Sequence, residues 1–476
     1  MITKEGPVAQ RLEQGTHNPL VVGSNPTGPT KTYIKTRYAI LLGEWPAGVR
    51  LCFVRICGLG ASVRTSFWDK VRQKAPVYVG FAATGVALTI PGAVLPLLLR
   101  RWSMSDARGG LLLFCFYGVG SVGSYIARGR MNRSVARGAL VTVAGAICMR
   151  WAGPLSAYGA IAVYGLGLSL TMTSISLLLS QRFPTERRLE LTRLNLIWAI
   201  GAALGPWVAL RSTHGGAVTD TQAIVHAQNV LVGVAIFFAG AAAWAMWIEE
   251  SPTWAGAEIA ATNPTAQNRD MGHLAASCGQ GVRRGGAPGK IPWPLLVLIF
   301  GATGVDAAAS GWLTSYAQRA GDSLGITIGA ATFLWVGALV SRVVHSSGWA
   351  ARLPERSVLG TSMVAMSGAL ALLIAWPQGV VTMVAAAVLG LAAGPVYPLV
   401  VAAVLRHREN STVFAIAGVG ASMLPLLTGA VSTWAHSLRA GLGIPLLAAL
   451  AMMVVVAVSG SALRGRGESG TEALIA

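Results

Sequence analysis

One carboxylate stands inside a long apolar stretch of this chain. Asp306 lies within PLLVLIFGATGVDAAASGWLTSY, residues 294–316. If a helix begins at Trp293, Asp306 lies about 20 Å along it at 1.5 Å per residue. A carboxylate in such surroundings usually faces a cavity, a ligand or a partner in proton transfer. Asp306 is therefore the first candidate for chemistry, and the alternative is a carboxyl group that only bonds a neighbouring helix.

The polar residues around Asp306 fall on two helix faces. On a straight helix Thr303 and Ser310 share the face of Asp306, whereas Trp312 lies about 120° away and groups with Tyr316. Asp306 and Trp312 can therefore meet one ligand only if the helix breaks between them, which is tolerated where backbone lines a cavity.

The sequence shows no pattern typical of a catalytic or metal centre. Its five cysteines are scattered without CxxC spacing, and its seven histidines lie in loops, near the N-terminus or at the edges of apolar stretches. The apolar stretches contain neither a GxSxG motif nor a phosphate-binding Walker loop. We therefore expect no catalytic residues, no metal and no cofactor, so the chain is predicted not to be an enzyme.

Composition places these residues in a membrane protein. Of 476 residues, 53% are hydrophobic and only 12% charged, and the mean hydropathy is +0.58; a soluble domain is about one quarter charged. Continuous apolar stretches near the 20 residues that a helix needs to cross a bilayer recur after Pro76. We count twelve, of which the third, at about 139–153, is short. The predicted fold class is an all-α integral membrane protein with 12 transmembrane helices.

The order of these stretches predicts five regions. Residues 1–75 form a non-conforming leader, expected to be disordered or not native. Residues 76–248 form an N-terminal six-helix half and residues 293–463 a C-terminal six-helix half. The polar linker 249–292 separates the two halves, and residues 464–476 form a tail. The linker and the tail are predicted to be cytoplasmic.

The leader has an unusual composition. Residues 7–30, PVAQRLEQGTHNPLVVGSNPTGPT, are rich in Pro, Gly, Asn and Thr and have no period that would bury a face. They resemble a transfer-RNA gene translated in a chance reading frame. We expect the reading frame to be extended upstream and the natural start to lie near Val63 or Val71.

The distribution of Lys and Arg predicts orientation. If both ends of the bundle face the cytoplasm, the internal segments after Pro76 carry 19 basic residues and the external ones 7. We therefore expect a multi-pass protein of the plasma membrane, in a bacterium the cytoplasmic membrane, with both termini cytoplasmic. The net charge of +19 is then a topology signal and a contact with anionic lipid. Nucleic acid is not an expected partner.

The two predicted halves contain similar sequence motifs at equivalent positions. GLGLSL at Gly165 has a counterpart in GLAAGP at Gly390, and GAALGP at Gly201 has one in GASMLP at Gly420. Chance similarity between Gly- and Ala-rich helices is the alternative explanation. Repeated halves are usual in secondary transporters, whose substrate binds between the halves near mid-membrane.

From Pro76 to the C-terminus the chain resembles the major facilitator superfamily. GRMNRSVARG (129–138) is similar to the family's loop between the second and third spans, although Asn132 replaces the expected Asp, the segment is one residue shorter and the second Gly is missing. The resemblance implies a cytoplasmic gate motif that includes Gly129, Asn132, Arg133 and Arg137. GAALGP resembles the GxxxGP motif of the fifth span, with Gly201, Gly205 and Pro206 as its key residues; small residues four apart let helices approach closely.

A third motif, GVDAAASGWLTSYAQR at 304–319, resembles the seventh span of the fucose-permease and related sugar-transporter branch. In this family the first, fourth, seventh and tenth spans line the central cavity. The resemblance and the shared helix faces give these substrate-cavity candidates: Trp312, Ser310, Thr303, Tyr316, Tyr78, Thr89, Tyr164, Thr171 and Tyr397. Packing or anchoring at the membrane interface is the alternative role for the aromatic residues among them.

The predicted function is secondary active transport by alternating access. We expect a small-molecule substrate, with a sugar or related polar solute favoured, and coupling to protons or another ion through Asp306. Efflux of amphipathic compounds is the alternative, and a membrane-embedded sensor or enzyme without transport is a remote one. The expected partners are solute, coupling ion and lipid, and the chain is expected to be a monomer.

Overall fold

The computed structural model describes eight stretches of the chain and divides it into two compact units, Met1–Arg72 and Gln73–Ala476. The described residues are 47–127, 130–182, 187–212, 220–247, 291–321, 323–346, 353–407 and 412–459. In the first unit the described residues begin at Ala47, and their backbone is helical. The predictions for residues 7–30, for most of the linker and for the tail lie outside the described residues.

In the part of the first half that the structure describes, the second unit contains six helices. They are α1 (Ala47–Arg101), which enters this unit at Gln73, α2 (Asp106–Ile126), α3 (Met131–Trp151), α4 (Ser156–Arg182), α5 (Arg187–Ser212) and α6 (Asp220–Trp247). The membrane-length part of α1 is Lys74–Arg101.

The second half repeats this arrangement. It contains α7 (Trp293–Arg319), α8 (Leu324–Ser346), α9 (Glu355–Ala375), α10 (Val380–His407), α11 (Thr412–Trp434), α12 (Leu438–Gly441) and α13 (Gly443–Val458). Helices α12 and α13 together make one span, Leu438–Val458.

Eleven spans within the described residues are long and apolar enough to cross a membrane. Helix α3 occupies the position of the third predicted span but is less apolar, because Arg133, Arg137 and Arg150 lie along it. It begins earlier than the apolar window at 139–153 indicates, since an amphipathic first turn adds little to hydropathy.

Close contacts relate the two halves, as the paired motifs predict. A Cβ atom at Gly201 of α5 would collide with the carbonyl oxygen of Ala82 in α1. A Cβ atom at the matching Gly420 of α11 would collide with the carbonyl oxygen of Phe300 in α7. The fifth helix of each half therefore packs against the first through glycine at an equivalent place.

The other motif pair behaves in the same way. A Cβ at Gly165 of α4 would strike the Phe116 carbonyl oxygen in α2, and one at Gly390 of α10 would strike the Leu334 carbonyl oxygen in α8. Chance similarity would not place both pairs in matching helix contacts, so the prediction of two pseudo-symmetric six-helix halves is confirmed.

Two antiparallel helix pairs join the halves. Helix α2 packs against α11, and α5 packs against α8. Helix α7 also meets the first half, because a Cβ atom at Gly92 of α1 would collide with the carbonyl oxygen of Ser310 in α7. A residue on these five helices can therefore face the boundary between the halves. The candidate site lies there.

Candidate functional site

Helix α7 carries one open polar strip in an otherwise buried segment. From Gly301 to Ala317, Thr303, Asp306 and Ser310 are half-buried, whereas every other residue is buried. Their spacing places the three on one face of the helix, as the sequence predicts. Thr303 donates a hydrogen bond to the Ala417 carbonyl oxygen of α11 (2.7 Å), so Asp306 and Ser310 are the more available pair.

Both halves contribute side chains next to this strip. Tyr117 of α2, in the first half, contacts Ser310 and interacts electrostatically with Asp306. Arg342 of α8, in the second half, also interacts electrostatically with Asp306. Within the described residues neither Asp306 nor Arg342 has a hydrogen-bonded side-chain partner. The two charges therefore face each other without a direct bond.

Aromatic residues surround Arg342. Its guanidinium lies over the ring of Trp198 in α5, 5.2 Å from the centroid, and Trp198 packs edge-on against Trp335, with the ring centroids 5.5 Å apart. Tyr397 of α10 is half-buried and interacts electrostatically with Arg342. We call Asp306, Ser310, Tyr117, Arg342, Trp198 and Tyr397 the central site.

Trp312 and Tyr316 lie elsewhere. Helix α7 continues through Gly311 without a break. The indole of Trp312 is fully buried and donates to the Pro425 carbonyl oxygen of α11 (3.0 Å), and the Tyr316 hydroxyl donates to the Leu373 carbonyl oxygen of α9. In this conformation both side chains pack between helices, so neither belongs to the central site.

The candidates on α1 and α4 also face packed surroundings. Tyr164 is buried, and its hydroxyl donates to the Ala87 carbonyl oxygen of α1 (2.8 Å). Thr171 is buried and bonds the Gly167 carbonyl oxygen of its own helix (2.8 Å). Thr89 is buried and bonds its own helix through Val86 (3.0 Å). These three are not part of the central site.

Tyr78 belongs to a separate polar cluster inside the first half. Its hydroxyl donates to Glu190 of α5, and the fully buried Glu190 also accepts hydrogen bonds from Lys74 (2.7 Å) and Arg193 (2.9 Å). Because two cations and a phenol bond this carboxylate, the cluster ties α1 to α5.

An ionic contact between the halves lies at one end of the bundle, which is the external end in the expected topology. Asp106 begins α2, and its two carboxylate oxygens accept hydrogen bonds from Arg319 at the end of α7 (2.6 and 2.5 Å). Ser432 of α11 donates to the same carboxylate (2.5 Å), and the Ala107 amide donates to Thr433 (2.7 Å). We call Asp106, Arg319, Ser432 and Thr433 the outer clasp.

The predicted gate motif is described in part. Gly129 lies outside the described residues. Asn132 is buried at the start of α3, whereas Arg133 and Arg137 are exposed. Within the other motif, Gly201 and Gly205 face α1, and Pro206 lies inside α5. The roles of these residues in gating and rocking stay predictions.

Three members of the central site are not predicted from the sequence. Arg342 is counted there among the cations of an internal loop, although it lies inside α8, and neither Tyr117 nor Trp198 is singled out. An arginine within an apolar window was the available signal for Arg342. No local signal identifies Tyr117 or Trp198, because what distinguishes them is the neighbouring half. Glu190 is predicted to lie outside the spans, whereas α5 begins at Arg187 and buries it.

The family follows from the arrangement of helices and from sequence together. A model of the Major Facilitator Superfamily matches residues 77–407. The chain belongs to this superfamily. It is accordingly a multi-pass membrane protein with the transporter fold of that superfamily, as the sequence analysis predicts. No curated protein matches its sequence.

Solved structures show the same fold at low sequence identity. A crystallised peptide transporter, POT, is 13% identical with a TM-score of 0.61 over 83% of this chain and 96% of that one. PepTSo2, crystallised as a tetramer, is 13% identical with a TM-score of 0.60 over 83% of this chain and 98% of that one. The E. coli fucose:proton symporter FucP is 14% identical with a TM-score of 0.47 over 81% and 98%. The likeness to the fucose-permease branch stays a prediction.

Proposed function

We propose that this chain is a secondary active transporter that moves a small polar solute by alternating access and couples the movement to protons through Asp306. The observation that carries the proposal is the position of Asp306. Its carboxylate is half-buried on the open strip of an otherwise buried helix, and residues of both halves surround it.

Placing a charged carboxylate at this position in a membrane helix costs free energy, which is typical of residues with a functional role. Charged groups within a span cost about 2.5–3.5 kcal/mol on the insertion scale and usually face a cavity or a relay. Asp306 has no bonded side-chain partner among the described residues, so its carboxylate is available to take up a proton. A protonated and a deprotonated form would favour different arrangements of the two halves, which is the requirement for coupling.

Hydroxyl groups support a polar solute. Ser310, Tyr117 and Tyr397 all lie in the central site, and aromatic rings with hydroxyls suit a polyol, whose apolar face stacks while its hydroxyls form hydrogen bonds. A sugar or related solute is therefore favoured over an amphipathic compound.

The test is uptake into proteoliposomes that contain the full chain. Labelled sugars and cationic dyes are offered with and without an imposed pH gradient. We expect the wild type to accumulate a polar solute under the gradient, and Asp306→Asn to lose accumulation while retaining exchange or downhill movement. Ser315→Ala is the matched control, because it removes a buried hydroxyl without a partner from the same helix.

Two results would contradict the proposal. Accumulation that stays driven by the pH gradient in Asp306→Asn would remove this residue from coupling. Movement of dyes alone would replace uptake of a polar solute with efflux.

A further inference from the structure

We infer that the transported solute carries an anionic group, in its simplest form a carboxylate, and that Arg342 binds it. The inference rests on the proposed function, because it identifies the class of solute that the central site accepts. The starting observation is that the Arg342 guanidinium is held inside the bundle, while no described carboxylate forms a hydrogen bond with it.

Arg342 is an unusual residue to place inside a span. A guanidinium stays charged under all relevant conditions and offers five N–H donors but no acceptor. A charge within a membrane helix is costly and is usually paired with another group. Arg342 has no hydrogen-bonded partner of this kind among the described residues, since its Nε atom is buried without a hydrogen bond and no described side chain bonds its guanidinium.

The surroundings of Arg342 hold it in place without occupying its donors. The ring of Trp198 lies 5.2 Å away and stabilises the cation through its face, which leaves the edges of the guanidinium free to donate. Trp335 in turn supports Trp198 from α8. The guanidinium is therefore oriented in advance and retains the planar fork that matches a carboxylate.

The opposite charge of Asp306 does not fill this role. Asp306 interacts with Arg342 through space but not through a hydrogen bond. Within the described residues, the other titratable side chains that interact with the pair are Tyr117 from α2, with Asp306, and Tyr397 from α10, with Arg342. With Asp306 deprotonated the site is balanced, and a proton on Asp306 leaves Arg342 as an uncompensated cation. An anionic solute restores the balance, so that proton and anion enter together without net charge.

Matched pairs of compounds test this inference on the purified full chain. The probes are gluconate with glucitol, glucuronate with glucose, and lactate with 1,2-propanediol, each pair differing in the carboxylate. Binding is measured by thermal stabilisation and by the fluorescence of the tryptophans. We expect at least one carboxylate to bind at least tenfold more tightly than its neutral counterpart.

Two variants connect this preference to Arg342. Arg342→Gln should weaken carboxylate binding at least tenfold and bring it to the level of the neutral compound. Arg342→Lys retains the charge and should keep part of the preference for the carboxylate. It is the control for a folding defect in Arg342→Gln. Ser315→Ala should leave every affinity unchanged.

The outcomes separate the inference from the proposed function. Equal binding of charged and neutral partners, no binding by any carboxylate, or an unchanged preference in Arg342→Gln would overturn the anionic solute. A failed proposed function would appear differently, as a wild-type protein that binds a probe but does not accumulate it under a pH gradient. Electroneutral accumulation of a bound carboxylate, insensitive to a clamped membrane potential, would support both.

Discussion

Two pairs of aspartate and arginine lie in the boundary between the halves, and they differ in one respect. In the outer clasp, Arg319 bonds both oxygens of Asp106 at 2.6 and 2.5 Å, and Ser432 adds a third bond. In the central site, Asp306 and Arg342 interact without a direct bond. The same two residue types therefore form a closed contact at one end of the bundle and an open one in its interior.

This difference indicates different roles. A closed bidentate pair satisfies its own donors and acceptors, so it stabilises the arrangement in which it forms. An open pair leaves its bonding capacity for something else, such as a proton or a solute. We interpret the outer clasp as a contact that must break when the halves move apart at this end. We interpret the central pair as the site where binding of a proton or solute favours one arrangement of the halves over the other.

The largest expected effect comes from making the outer clasp permanent. In a variant otherwise free of cysteine, Asp106→Cys and Ser432→Cys place two thiols on α2 and α11. Oxidation should join the halves and reduce transport by at least about tenfold, and reduction should restore it, because alternating access requires this end to open. Uptake before and after each treatment measures the effect.

A cross-link inside one half serves as the control. A Cβ atom at Gly120 of α2 would lie 2.8 Å from the hydroxyl oxygen of Ser169 in α4, so Gly120→Cys with Ser169→Cys in the same cysteine-free background joins two helices of the first half. That bridge should leave most transport intact. Equal inhibition by both bridges would show that the outer clasp has no special role in opening.

The next largest effect is the difference in stability between variants that lack one or the other carboxylate. Asp106→Ala removes three hydrogen bonds and leaves Arg319 without its partner, and we expect it to lower the free energy of unfolding by about 1–3 kcal/mol. The side chain of Arg319 is 47% exposed, so solvent moderates the loss. Asp306→Ala removes a carboxylate that bonds no described side chain, so only its through-space attraction to Arg342 is lost, and the free energy of unfolding should fall by less than in Asp106→Ala. Melting of the two purified variants in detergent checks the order, and a larger loss for Asp306→Ala would contradict the assignment of an open pair.

The sequence predicts one member of the central pair and neither member of the outer clasp. Asp306 stands out because it interrupts an apolar stretch, and the periodicity of α7 correctly places Thr303 and Ser310 beside it. Asp106 and Arg319 lie at helix ends, where charged residues are common and carry little information. The count of basic residues in loops assigns Arg319 to orientation and does not reveal its contact with α2.

The remaining features depend on how the halves meet. Twelve helices and two repeated halves follow from hydropathy and from the glycine motifs, since both are properties of single helices or of close helix pairs. Trp312 shows the limit of such reasoning. Its place in a sugar-transporter-like motif makes it a solute candidate, yet its indole bonds Pro425 of α11, which lies far away in the sequence. The same holds for Trp198, whose role depends on a cation that α8 supplies.

The smallest expected effect comes from replacing each arginine of the two pairs by lysine. Lysine retains the charge of arginine but loses the planar fork that bonds two oxygens at once. Arg319→Lys should therefore lower the free energy of unfolding by about 1 kcal/mol, the value of one typical hydrogen bond, because one of its two bonds to Asp106 is lost. Arg342→Lys should change stability by less than about 0.5 kcal/mol, since no hydrogen bond to a described side chain is lost, even though it weakens binding of an anionic probe. Melting curves and probe affinities of both variants, measured together, give the comparison. If Arg342→Lys destabilises the protein as much as Arg319→Lys does, the guanidinium in the central site has a structural partner and the two pairs are alike.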